Sequence, residues 1–137
     1  MSKAVKVVRS LLVNDATVGD CIGNRCFPVD GVPKSTPWPY IVMTRQSDRG
    51  EGSLNGDGSD ERIATIQLEI VSRTYADAAA IGDAIPAAVN GGTRTVAGIQ
   101  VVESLADDGG DSPDGPIDLD ESEAFVMTVT VNVAYIP

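Results

Sequence analysis

A chain of 137 residues is the length of one domain, and a domain of that size buries roughly two-thirds of the surface its unfolded chain exposes, so a core can form without disulfide or metal staples. Apolar residues make up 42% of the chain but aromatics only 4%, which predicts a core of β-branched strands and a small-residue helix and argues against disorder. Twenty acids against ten bases give a formal charge of -10, which argues against any role built on neutralising phosphates.

Ser2 is placed to cap a helix in which Ala4, Val5, Val8, Leu11 and Leu12 recur at three- and four-residue spacing, giving an amphipathic helix to about Val13. Asn14 and Asp15 end it, and residues 15–23 leave room for a short helical turn. Arg25, Cys26, Phe27, Pro28 and Val29 read as a brief strand stopped by Asp30 and Gly31. The segment 32–40 holds Pro33, Pro37 and Pro39 around Trp38, so it should run extended and rigid, without the N–H groups of a regular ladder. It leads into a strand over 40–46, which gives way to the polar, glycine-rich run 48–60, expected to be a long mobile loop.

Alternation is cleanest over 63–72, where Ala64, Ile66, Leu68 and Ile70 fall on one face and Thr65, Gln67 and Glu69 on the other. One face should be buried and the other wet, or met by a partner. Thr74 followed by Asp77 resembles a capping box with Asp in place of Glu, and Ala78, Ile81, Ile85 and Val89 then mark a helical stripe closed by Asn90, Gly91 and Gly92. Pro86 lies inside that helix and is expected to kink or shorten it. A strand over 96–104 with Gly98 as a bulge, an acidic loop over 106–121, and a strand alternating from Phe125 to Tyr135 complete the chain; the last is long for an edge strand. The order is helix, three strands, helix, two strands. Connections this short predict an α+β fold: one domain over 1–137, a mostly antiparallel sheet of about five strands with two helices packed on one face.

Residues able to make or break bonds are scarce. There is no histidine, which removes Ser-His-Asp and Cys-His nucleophiles and most transition-metal sites together. Cys21 and Cys26 form C-x4-C with no further ligand, too little for zinc or a disulfide framework, and are read as buried free thiols. Gly50, Gly52, Gly56 and Gly58 do not open a helix, so they form no phosphate fingerprint. Two carboxylate-rich runs merit weighing as calcium sites: Asn55, Asp57, Ser59 and Glu61, and then Asp114, Asp118 and Asp120. Neither matches the twelve-residue ligand loop, and solvated acidic loops are the preferred reading, with no metal or cofactor. Trp38 could stack a ligand, but flanking prolines favour an anchor for a rigid crossing segment. No stretch approaches the roughly 20 apolar residues of a membrane span, and Lys6 and Arg9 break the N-terminal run that a signal peptide would need, so synthesis in the cytosol is expected.

Four stretches in order resemble the tail completion, or tail terminator, proteins of long-tailed bacteriophages and related gene-transfer particles. They are Asn24, Arg25, Cys26, Phe27, Pro28 after the first helix; Pro37, Trp38, Pro39, Tyr40, Ile41, Val42; the run from Glu61 and Arg62 to Ile70, Val71, Ser72; and Tyr75, Ala76, Asp77, Ala78 opening the second helix. None is a catalytic motif, and the long acidic loop and Pro86 depart from the family pattern. The resemblance implies a non-enzymatic virion protein that forms a homo-oligomeric ring, of six subunits, at the head end of the tail. Such a ring caps the tube, stops its growth and offers the head its docking surface. It also implies the tail tube protein and head-tail connector proteins as partners, double-stranded DNA passing through without specific binding, no membrane, and assembly in the host cytoplasm.

On that reading the residues expected at ring, tube or channel surfaces are Arg45, Arg49, Glu51, Asp57, Asp60 and Arg62 around the first loop, and Asp107, Asp108, Asp111, Asp114, Asp118 and Asp120 in the second. Pro37, Trp38, Pro39 and Tyr40 form the rigid anchor. Charge is uneven in a way that suits a channel: from Thr95 onward there is no Lys or Arg, and nine acids fall there. The alternatives are another connector ring or the tube subunit of the same particle, and, from a different class, an acidic calcium-dependent binding module.

Overall fold

Helix α1 (Lys3–Val13) begins where the Ser2 hydroxyl accepts the Val5 N–H at 3.2 Å, satisfying one of the donors a helix start leaves open. Its apolar face, Ala4, Val5, Val7, Val8 and Leu12, is buried, while Lys3 and Lys6 point to solvent. The computed structural model describes residues 2–50, 61–107, 114–119 and 122–137, with 114–119 and 122–123 described by backbone alone. Where a single turn was expected, a second helix α2 (Ala16–Ile22) forms, because Asp15 caps both the Thr17 and Val18 N–H groups and Val18 and Ile22 bury on one side. Gly19 lets it fold back on α1: a Cβ there would stand 2.7 Å from the Val13 carbonyl oxygen.

The strands are β1 (Cys26–Pro28), β2 (Tyr40–Gly50), β3 (Arg62–Ser72), β4 (Arg94–Val96), β5 (Ile99–Ala106), β6 (Asp114–Leu119) and β7 (Ser122–Ile136), with a short 3-10 turn at Val29–Gly31 and helix α3 (Tyr75–Val89) between β3 and β4. They form one seven-stranded sheet in the order β1-β2-β3-β7-β5-β4, with β6 paired to β7 beside that path. All pairings are antiparallel except β1 with β2. The parallel pair is possible because the proline-bearing crossing segment returns the chain to the end from which β1 started.

The α+β class and the mostly antiparallel sheet stand, but three details differ from expectation. Among the described residues there are three α-helices rather than two and seven strands rather than about five. The single strand expected over 96–104 is a hairpin: Ala97 and Gly98 both take positive φ (51 and 78 degrees), the two-residue turn that matches strand twist, so Val96 faces Ile99 and Gly98 is no bulge. Parts of the loops expected over 48–60 and 106–121 are strand, since Asp48, Arg49 and Gly50 extend β2, Ala106 ends β5, and Asp114–Leu119 pairs with β7, while 51–60, 108–113 and 120–121 lie outside the described residues. Strand β7 is central, flanked by β3 along its length and by β6 and β5 in turn on its other side, which is why it is so long.

The helices cover one face. There Ala64, Ile66, Leu68 and Ile70 of β3 meet Met127, Val129, Val131 and Val133 of β7, with Ile81, Ile85 and Val89 of α3 and Leu12 of α1 above them, all essentially inaccessible. Thr74 caps α3 by accepting the Asp77 N–H, as the sequence pattern predicts. Pro86 does not shorten that helix, which runs on to Val89 because Ile85 and Val89 are held in the core. Its end is tied to β5: the Val89 carbonyl accepts from the Ser104 hydroxyl and from Arg94, and Gly91 and Ser104 exchange both backbone bonds.

Candidate assembly surfaces

Two of the sequence-selected residues, Arg45 and Arg62, turn out to share a cluster that closes one end of the core. β2 carries a register shift between Arg45 and Ser47, and this bulge rotates Asp48 onto the helix-covered face opposite Ala64. There the Asp48 carboxylate accepts from Arg62 Nε at 2.9 Å and from the Tyr135 hydroxyl at 2.6 Å, with Arg45 at 3.7 Å, and Arg62 also donates to the Asp48 carbonyl at 2.8 Å. The Asp48 side chain is only 9% exposed. Burial works to raise its pKa, but the hydrogen bonds from Tyr135 and Arg62 and the charges of Arg62 and Arg45 outweigh it, so the carboxyl is held below its ordinary value. Burial and the adjoining carboxylate raise Tyr135, and the Asp48 hydrogen bond raises Arg62.

The remaining expected residues are dispersed. Arg49 is exposed at the end of β2, and Asp107 is exposed just past β5, its N–H donating to the Thr130 carbonyl at 2.7 Å. Asp114 and Asp118 lie on β6, facing Val126 and Glu123 across the ladder. Glu51, Asp57, Asp60, Asp108, Asp111 and Asp120 lie outside the described residues, as do Asn55 and Ser59 of the calcium reading. Among the described residues no group of three His, Cys, Asp or Glu side chains is arranged to hold a metal ion. The free Cys26 thiol is pushed up to about 12 by burial, against a lesser lowering by Arg9, and so stays protonated at neutral pH.

The uncovered face of the sheet has two apolar ends and a polar middle. At one end Trp38 and Tyr40 of the crossing segment pack on Val71, Ala124 and Val126, a small second core on the open face rather than the helix side. Arg25 fastens the same segment by donating to the Pro39 carbonyl at 3.0 Å, while Pro37 stays exposed. The Arg73 guanidinium stacks over the Trp38 ring at 5.4 Å, and exposed Tyr75 follows two residues on. In the middle, Gln46 pairs with Gln67 and Thr65 with Asn132. At the other end Ile63, Val102, Leu105 and Ala134 line a groove of about 270 Å³, with Glu61 and Glu103 at its sides.

Sequence reasoning missed Asp48 and Tyr135, assigned to a loop and to plain alternation, and missed the groove. The available signal was Ile63, an apolar residue directly beside buried Ala64, which shows that this end of β3 is apolar on both faces.

A fold of this kind, with its helices on one side and a bare sheet on the other, has a known counterpart. The sequence profile of the tail completion protein gp17 family matches residues 6–133. The chain belongs to that family. It is a structural protein of the phage tail, and hence of the virion. Its fold is similar to that of a chain in the virion of a native gene transfer agent particle, with a TM-score of 0.61 at 12% identity, over 96% of this chain and 93% of that one. Compared with curated proteins, the sequence finds no match.

Proposed function

We propose that this tail completion protein forms a closed ring of identical subunits, six in number, on the head-proximal end of the tail tube, where it ends tube growth and presents the surface on which the filled head docks. The observation that carries the reading is the family match along nearly the whole chain. Closed rings need unlike patches that meet head to tail, and a sheet with two chemically different ends on its bare face supports that arrangement. The acidic run 107–123, together with the run 48–60 apart from Asp48 itself, faces the channel or a neighbouring ring in this proposal, and a negative wall would repel DNA phosphates and keep the genome from sticking. The role is non-enzymatic: the chain has no histidine, and its buried thiol is not ionised at neutral pH.

Micrographs of particles made without the protein test this. Abnormally long tails are the expected result. Free heads beside tails of normal length would instead assign it to a connector ring, and normal infectious particles would remove it from assembly altogether.

A further inference from the structure

Resting on the ring reading, we propose that the groove at the β3 start is the socket of the subunit contact and that the aromatic and cationic end of the same sheet, Trp38, Arg73 and Tyr75, is the plug supplied by the next copy. Three observations converge on a second copy as occupant. The groove is lined by Ile63, Val102, Leu105 and Ala134 together with Glu61, Glu103 and Asn132, and the Glu103 carboxylate among these apolar groups calls for an apolar side chain accompanied by positive charge. The opposite end of the sheet supplies that combination: Arg73 is exposed and its charge is presented on the face of Trp38, and Tyr75, 50% exposed, opens α3 two residues on. Neither Arg73 nor Glu103 enters an ion pair among the described residues, so both charges remain to be matched across an interface.

Size and spacing agree. A groove of about 270 Å³ falls below the range of roughly 300–1,000 Å³ usual for small-molecule sites, and suits a single anchoring side chain. Trp, Tyr and Arg are the residues that most often carry the energy of protein contacts when seated in such pockets. Ile63 in the socket and Val71 beneath the plug stand at opposite ends of β3, roughly 26 Å apart at about 3.3 Å per residue, so one subunit can hold a neighbour at each end. A contact between unlike ends can leave one of each unfilled and so propagate, and it closes into a ring where the rotation per step allows.

A charge swap tests the pairing. The purified full chain is followed by sedimentation up to high concentration, alone and with isolated tail tubes, as wild type, Arg73→Glu, Glu103→Arg and the double variant; both positions are exposed, and thermal melts check that all four fold. The expected result is that each single change weakens association by about tenfold or more and that the double variant restores it to near the wild-type level. If wild type assembles and the single changes leave assembly unaltered, or the double is no better than the singles, this pairing is overturned while the ring stands. A swap-restored association that stops at two subunits supports the pairing and removes the ring. Wild type that associates under neither condition overturns both.

Discussion

The two faces of the sheet obey different rules although they share every strand. On the helix-covered face, β3 and β7 present Ala64, Ile66, Leu68, Ile70 and Met127, Val129, Val131, Val133 in unbroken register, with Ser72 buried at one end and Asp48, Arg62 and Tyr135 closing the other. On the bare face the same strands carry Thr65, Gln67, Glu69, Thr128 and Thr130, with apolar residues only at the ends. Folding free energy is concentrated on the first face, and the second is left to be selected for contact. Mutations should therefore separate cleanly by face.

The sharpest break comes from Leu68, wholly inaccessible in the middle of the covered face. Leu68→Ala should lower stability by about 2–5 kcal/mol in denaturant unfolding, as removal of a buried leucine leaves a cavity that packed neighbours fill only in part. A loss under about 1 kcal/mol would mean that the assignment of faces is inverted. Slightly smaller is the effect of closing the gap at Gly82, where α3 lies so near β7 that a Cβ would run into the Met127 sulfur. Gly82→Val should cost about 1–3 kcal/mol, read from the thermal midpoint, because a branched side chain must push helix and strand apart.

What was legible in the sequence follows the same division. Period-two alternation is enforced by burial, so the covered faces of β3 and β7 could be read from the residues alone. Short-range capping, as at Ser2 and Thr74, was equally visible. Features that break the period were not. The bulge at Gln46 reverses the phase of β2, so Asp48, polar and two residues from a glycine-rich run, looked like the start of a loop although it faces the core. The Ala97-Gly98 turn was hidden because Ala is a poor marker of positive φ. β6 was hidden because acids, Gly and Pro, read residue by residue, favour a loop, and its pairing with β7 comes from tertiary context. The groove escaped because Ile63, Val102, Leu105 and Ala134 come together only through the β3-β7-β5 pairing.

Asp48 sharpens the comparison through pH. Asp48→Asn should cost about 1–3 kcal/mol at neutral pH, since Arg62 loses a charged acceptor at a nearly enclosed site; the Arg45 contact, longer and half-exposed, adds little. The folded pKa is depressed, so the stability due to the ionised carboxylate is complete above the unfolded carboxylate's value of about 3.9 and is lost as pH falls through the lower folded value. Wild-type and variant stabilities measured from pH 7 downward should thus converge only at the acid end. A gap that stays constant through that range would show that the ionised carboxylate is not what holds the core end together.

The smallest effect should fall one residue from the largest. Gln67 neighbours Leu68 on β3 but points to the bare face, where its side-chain oxygen accepts from Gln46 at 2.7 Å. That bond competes with water at little net gain, so Gln67→Ala should alter the stability of the isolated chain by less than about 0.5 kcal/mol. The pair of substitutions therefore measures the two faces against each other at a single point on one strand, with backbone pairing held constant. Should Gln67→Ala cost more than about 1 kcal/mol in the isolated chain, the bare face is contributing to the fold itself, and its polar middle could no longer be regarded as surface reserved for a neighbour.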